Sequence, residues 1–153
     1  MSDYIKKELS KIFDETKFEF PLNLAMASAW IAGNFKGTEL KIYDVRGRST
    51  LCDYFVLSSA GNATQLHAMA DEMMGQMKAN GTKLLSVEGM DGNWVLLDFG
   101  DIIVHLFLHD ARFVYDLDEL WKTAPQVTIP QSYYFSEAPS EKLVKKDEDE
   151  NYF

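Results

Sequence analysis

The 153 residues carry 24 Asp and Glu against 15 Lys and Arg, a formal net charge of −9 with a pI near 4.7. That balance opposes direct nucleic-acid binding, which relies on Lys and Arg displacing counterions from phosphates. Hydrophobic content of 46% suits one domain with a true core, the lone Cys52 excludes an intramolecular disulfide or a thiolate zinc cluster, and no apolar run approaches the roughly 20 residues of a membrane helix.

Residues 3–15 place Ile5, Leu9, Ile12 and Phe13 at helical spacing behind Asp3, which predicts a short amphipathic helix. The surrounding N-terminus, MSDYIKKELSKIFDE, interleaves charge with apolar residues and has no signal-peptide core, so a cytoplasmic protein is expected. After Pro21, residues 22–35 read as a second helix, with Gly33 and Gly37 as its stop and turn signals. Strands are predicted over residues 40–45 and 54–58, joined by the basic turn Arg46-Gly47-Arg48-Ser49. Residues 64–80 form a helix burying Leu66, Met69, Ala70, Met73, Met74 and Met77, the methionines serving as adaptable filler. A third strand over 84–87 completes a strand–helix–strand unit, read as a parallel pair with a right-handed crossover.

The run WVLLDFGDIIVHLF, residues 94–107, predicts a β-hairpin turning at Phe99-Gly100. If Asp98 pairs with Asp101, parity puts Val95, Leu97, Ile102, Val104, Leu106 and Leu108 on one apolar face. The other face carries Trp94, Leu96, Asp98, Asp101, Ile103, His105 and Phe107. An indole beside apolar neighbours with carboxylates at the rim has the makeup of a binding hot spot for a basic partner. A helix of the same domain covering Trp94 as core is the competing reading, and composition leaves both open. A helix start at His109-Asp110-Ala111-Arg112 and two short turns follow, closed by Pro125 and Pro130.

These elements define one α/β domain with a mixed five-stranded sheet flanked by helices. Residues 1–20 form an N-terminal helical extension, residues 21–130 the domain, and residues 131–153 an acidic tail, whose run SEAPSEKLVKKDEDENYF reads as disordered. No Walker loop, dinucleotide fingerprint or Gly-x-Ser-x-Gly elbow occurs, so no catalytic, cofactor or metal set emerges. His105 and His109 straddle a strand end and a helix start, which fails the same-face requirement for helical metal ligands. Asp98 and Asp101 have the right atoms for Mg²⁺ and leave a nucleotidyltransferase-like enzyme as the alternative.

Several motifs resemble the ribosomal silencing factor (Iojap) family. They are Asp44-Val45-Arg46-Gly47, Asp53-Tyr54-Phe55-Val56, Val87-Glu88-Gly89, the run from Trp94 to Asp101 with Val104-His105, and Ala111-Arg112 through Trp121. The resemblance implies a nucleotidyltransferase-like superfold without catalysis and homodimers when free. It also implies binding to the large ribosomal subunit through its fourteenth universal protein, blocking subunit joining and repressing translation under nutrient limitation. Carried over, the partner-binding residues are Trp94 and Tyr115, with Asp98, Phe99 and Asp101 in the same signature. Where the family commonly has Ser-Gly-Thr-Ser, this chain has Ala60, Gly61, Asn62 and Thr64, which weakens any phosphate-binding role for that turn.

Overall fold

The computed structural model describes residues 3–135. Residues 1–2 and 136–153, which hold the run read as a disordered tail, lie outside them. The elements in chain order are α1 (Asp3–Phe13), α2 (Leu22–Asn34), β1 (Thr38–Asp44), β2 (Tyr54–Ala60), α3 (Ala63–Ala79), β3 (Ser86–Glu88), β4 (Trp94–Asp98), β5 (Ile102–Leu108), α4 (His109–Tyr115) and α5 (Leu117–Leu120). A 3-10 turn, Gln131–Tyr133, ends the series. The five strands form one mixed sheet in the order β1-β2-β5-β4-β3. Among the described residues, no helix is long and apolar enough to cross a membrane.

The predicted strand–helix–strand unit does not close an adjacent parallel pair. β2 and β3 point the same way but are not neighbours, because the β4–β5 hairpin lies between them. The parallel pairing is β2 with β5, from Tyr54↔Ile102 to Ala60↔Leu108. β5, IIVHLFL, is buried along almost its whole length, so it belongs at the sheet centre, whereas SVE of β3 is polar enough for an edge. The other edge, β1, is covered by residues 126–127, through a Tyr43–Gln126 bridge and Val127 N–H donating to the Ile42 carbonyl at 2.8 Å.

Both sheet faces are covered, unequally. Under α1, α2 and α3 lies the larger cluster, which takes Val95, Leu97, Ile102, Val104 and Leu106 from the hairpin. The smaller cluster, under α4, α5 and the segment after them, takes Ile103 and Phe107, with Trp94 and Leu96 packed against it. The division by parity therefore holds. The register does not, since Asp98 pairs with Ile103 rather than Asp101. The slip is by two residues, and an even slip leaves every side chain on its own face.

α2 is buried from Asn23 to Gly33, as an apolar helix without a polar stripe must be. α1 seals its outer side with Ile5, Leu9 and Ile12, and Asn23 Nδ2 donates to the Phe13 carbonyl at 2.9 Å. Residues 131–135, expected to begin the tail, instead lie on α2: Tyr133 is 5% exposed and Phe135 meets the edge of Trp30 at 5.9 Å. Gly33 makes this possible. It is the penultimate residue of the helix, and a Cβ there would come within 1.9 Å of the Tyr133 carbonyl oxygen. The left-handed residue after the helix is Lys36, at φ 63°. Gly33→Ala should therefore lower stability by about 1–3 kcal/mol despite its better helix propensity. Denaturant unfolding checks this, and an unchanged midpoint would mean that the 131–135 segment yields freely.

Candidate functional site

On the face of the smaller cluster, the end of the hairpin that meets α4 carries a group of rings. Trp94, the first residue of β4, lies opposite Phe107 in β5. Its ring is 5.2 Å from Phe107, 5.8 Å from His105 and 4.5 Å from Tyr115, the last residue of α4. Phe55 on β2 continues the layer towards His105 at 5.3 Å and Trp121 at 5.2 Å. Phe107 is fully buried, Trp94 is partly buried and Tyr115 is 46% exposed. The group thus grades from core to surface, and Trp94 belongs partly to each of the two readings left open by its composition.

His105 holds the indole in place. Trp94 Nε1–H donates to His105 Nδ1 at 3.0 Å, which requires a neutral ring with Nδ1 unprotonated. Burial pushes the His105 imidazole down to about 4, so this state persists at neutral pH. In the unfolded chain the ring protonates below about 6.5. Above that pH both states are neutral and the stability is complete. As pH falls from 6.5 towards 4, the unfolded state takes up the proton first and stability declines, by roughly 3 kcal/mol once pH lies below the folded value. His105→Gln keeps an acceptor but does not titrate. Unfolding free energies measured from pH 7.5 to 4 should fall more steeply for the parent, and matching slopes would contradict this assignment.

On the two helices that follow the hairpin, α4 and α5 expose large apolar side chains outside the partner-binding set read from the sequence: Phe113 at 64%, Val114 at 77% and Leu120 at 67%. A signal was present in FVY, residues 113–115, because three consecutive apolar residues on a one-sided helix cannot all face inward. Exposed carboxylates border this surface at Asp110, Asp116 and Glu119, the last paired with Lys122 at 2.6 Å. Beneath it, Arg112 and Asp118 form an ion pair at 2.7 Å, likewise unforeseen.

The other signature residues lie elsewhere. Asp98, Phe99 and Asp101 are at the turn end of the hairpin, four residues and about 13 Å along the strand from Trp94. Phe99, 4% exposed, packs into the larger cluster on the opposite side of the sheet. It is core, not surface, because the residue after Asp98 turns inward as the chain reverses. Asp98 Oδ1 accepts the Gly100 N–H at 2.8 Å, with Gly100 at φ 90°, so this carboxylate serves the turn. Asp101 is exposed. The nucleotidyltransferase alternative needs both acids aimed at one cation, and Asp98 already holds the Gly100 N–H through Oδ1. Among the described residues, no three of His, Cys, Asp or Glu gather as a metal site. Cys52, 7% exposed, has its thiol pushed up to about 12 by burial and behaves as a small apolar side chain.

Residues 20–152 match the family model described as ribosomal silencing factor during starvation. The ribosomal silencing factor of Bacillus subtilis is 36% identical over 91 residues, covering 59% of this chain and 77% of that protein. The mouse mitochondrial assembly of ribosomal large subunit protein 1 is 36% identical over 73 residues, covering 45% of this chain and 32% of that protein. A crystal structure from Bacillus halodurans superposes with a TM-score of 0.60 at 29% identity, covering 71% of this chain and 96% of that one. With a family match across most of its length and a shared fold, the chain belongs to the ribosomal silencing factor family.

Proposed function

We propose that this protein docks on the large ribosomal subunit through its fourteenth universal protein, blocks joining of the small subunit and so represses translation when nutrients are short. It acts by occupancy and not by catalysis, and when free it pairs with a second copy. The observation that carries the reading is the half-exposed Tyr115 ring against Trp94, on helices that also expose Phe113, Val114 and Leu120, in a chain of this family. Aromatic and apolar side chains exposed on α4 and α5, with Trp94 of the sheet behind Tyr115, supply the contact area of a hot spot. The exposed carboxylates at its border complement a basic ribosomal protein and would repel RNA phosphates. Asp98 and Asp101, at the far end of the hairpin, take the outer rim of the contact, and Phe99, buried under the opposite face, anchors the turn that carries them. The mouse relative is named for assembly of the large subunit, which supports that subunit as the partner.

Sedimentation of the protein with purified subunits through sucrose gradients tests this. Migration with large subunits, and fewer joined ribosomes when small subunits are added, are the expected results. Absence from the large-subunit peak at modest salt would refute the proposal.

A further inference from the structure

The two short helices rest on the smaller cluster through Ala111, the partly buried Leu117 and Trp121, and Tyr115 on Trp94. α5 buries none of its residues fully, and α4 buries only Ala111 and Arg112. Helices this short do not stand by propensity alone. To these contacts is added a buried polar fastening. The Arg112 guanidinium, 3% exposed, donates from Nε to Asp118 Oδ2 at 2.7 Å and from Nη2 to Asp118 Oδ1 at 3.2 Å. Its remaining nitrogen, Nη1, donates to Ser59 Oγ on β2 at 3.0 Å, while the Tyr43 hydroxyl on β1 donates to Asp118 Oδ1 at 2.6 Å. Arg112 stands on α4 and Asp118 on α5. Between them Asp116 adopts a left-handed conformation at φ 49°, which a residue with a Cβ resists. The ion pair thus clamps a strained joint from both sides and ties it to two strands. Burial raises the Asp118 carboxyl, but the hydrogen bonds from Arg112 and Tyr43 outweigh it and hold the group below the usual carboxylate range.

Apolar side chains of similar volume fill such a space at no loss of stability in many proteins. What they cannot reproduce is direction, because two parallel N–H···O bonds fix an angle as well as a distance. We propose that Arg112 is a positioning residue for the docking surface: its two-pronged pair with Asp118 sets the angle between α4 and α5, and thereby the placement of Phe113, Val114, Tyr115 and Leu120 against the partner. The partner side of this inference rests on the proposed function.

Two variants separate positioning from mere support. Arg112→Lys keeps the charge but not the fork. The combined variant Arg112→Met, Asp118→Leu, Tyr43→Phe replaces the network with apolar volume. Amide hydrogen exchange over residues 113–120 and affinity for purified large subunits are measured on both, with thermal unfolding alongside. Arg112→Lys should speed exchange in that segment and weaken binding at least 10-fold, and the triple variant should regain the unfolding midpoint without regaining affinity. Recovery of affinity together with the midpoint would overturn the proposal, as would unchanged exchange in Arg112→Lys. Should the parent protein itself not bind large subunits, the functional reading falls, and the exchange measurement still decides whether Arg112 governs the joint.

Discussion

Tyr115→Ala is expected to weaken association with the large subunit by about 2 kcal/mol, the loss typical of a central aromatic anchor, or roughly 30-fold in affinity. Tyr115 ends α4, is 46% exposed and stands 4.5 Å from the Trp94 ring. Its truncation removes contact area from the surface and leaves the buried layer beneath in place. Unfolding free energy should therefore change by well under half the binding loss. Trp94→Ala is the less clean probe, since it also deletes the hydrogen bond to His105 and the stacking on Phe107. Tyr4→Ala provides the comparison: Tyr4 is 58% exposed, but on α1, across the sheet. Titration of labelled protein with large subunits reads all three. Equal affinities for the Tyr115 and Tyr4 variants would place the contact elsewhere.

Phe107→Ala should instead act on the fold. Phe107 is fully buried in β5, paired with Trp94 across the hairpin and with Ser59 on β2, and its ring supports both Trp94 and Tyr115. Phe-to-Ala changes at such sites cost about 3–5 kcal/mol in lost burial and residual cavity. That lowers the unfolding midpoint by roughly 10 °C for a domain of this size. Subunit binding should fall as well, because the cavity opens under the anchors. The order of effects is diagnostic: binding without stability for Tyr115, stability with binding for Phe107. A Phe107→Ala protein as stable as the parent would mean that the two rings above collapse into the space and repack.

Much of this was legible in the residues. Alternation over residues 94–107 assigned each hairpin side chain to its face, since a period of two survives an even error in register. Helical spacing found the buried methionines of α3. The start of that helix is set by detail that spacing does not carry: Asn62 caps the Gln65 N–H at 2.8 Å, and Gln65 Oε1 accepts from Gly61 N–H at 2.7 Å. Strand order was not legible. The segment from β2 through α3 to β3 fits an adjacent parallel pair equally well, and only the all-round burial of β5 explains why the hairpin takes the centre. At the candidate site, the Trp94–Tyr115 contact joins residues that the motif pattern had already named together. The Arg112–Asp118 pair escaped because a basic and an acidic residue six apart, across a helix break, have no periodic signature.

The order β1-β2-β5-β4-β3 also imposes a timetable on synthesis. The inner edge of β2 has no partner until Ile102–Leu108 has been made, long after Ala60. By contrast β4 and β5 are joined by a tight turn and can pair within roughly 1–10 μs of both being available. Closing the sheet is therefore the docking of the antiparallel β3–β4–β5 unit onto the open edge of β2, a non-local event of the kind that slows folding. Until then, the apolar stretch YFVL at the start of β2 remains an open template on the nascent chain. That interval, more than any weakness in the finished fold, is when this protein is most exposed to aggregation.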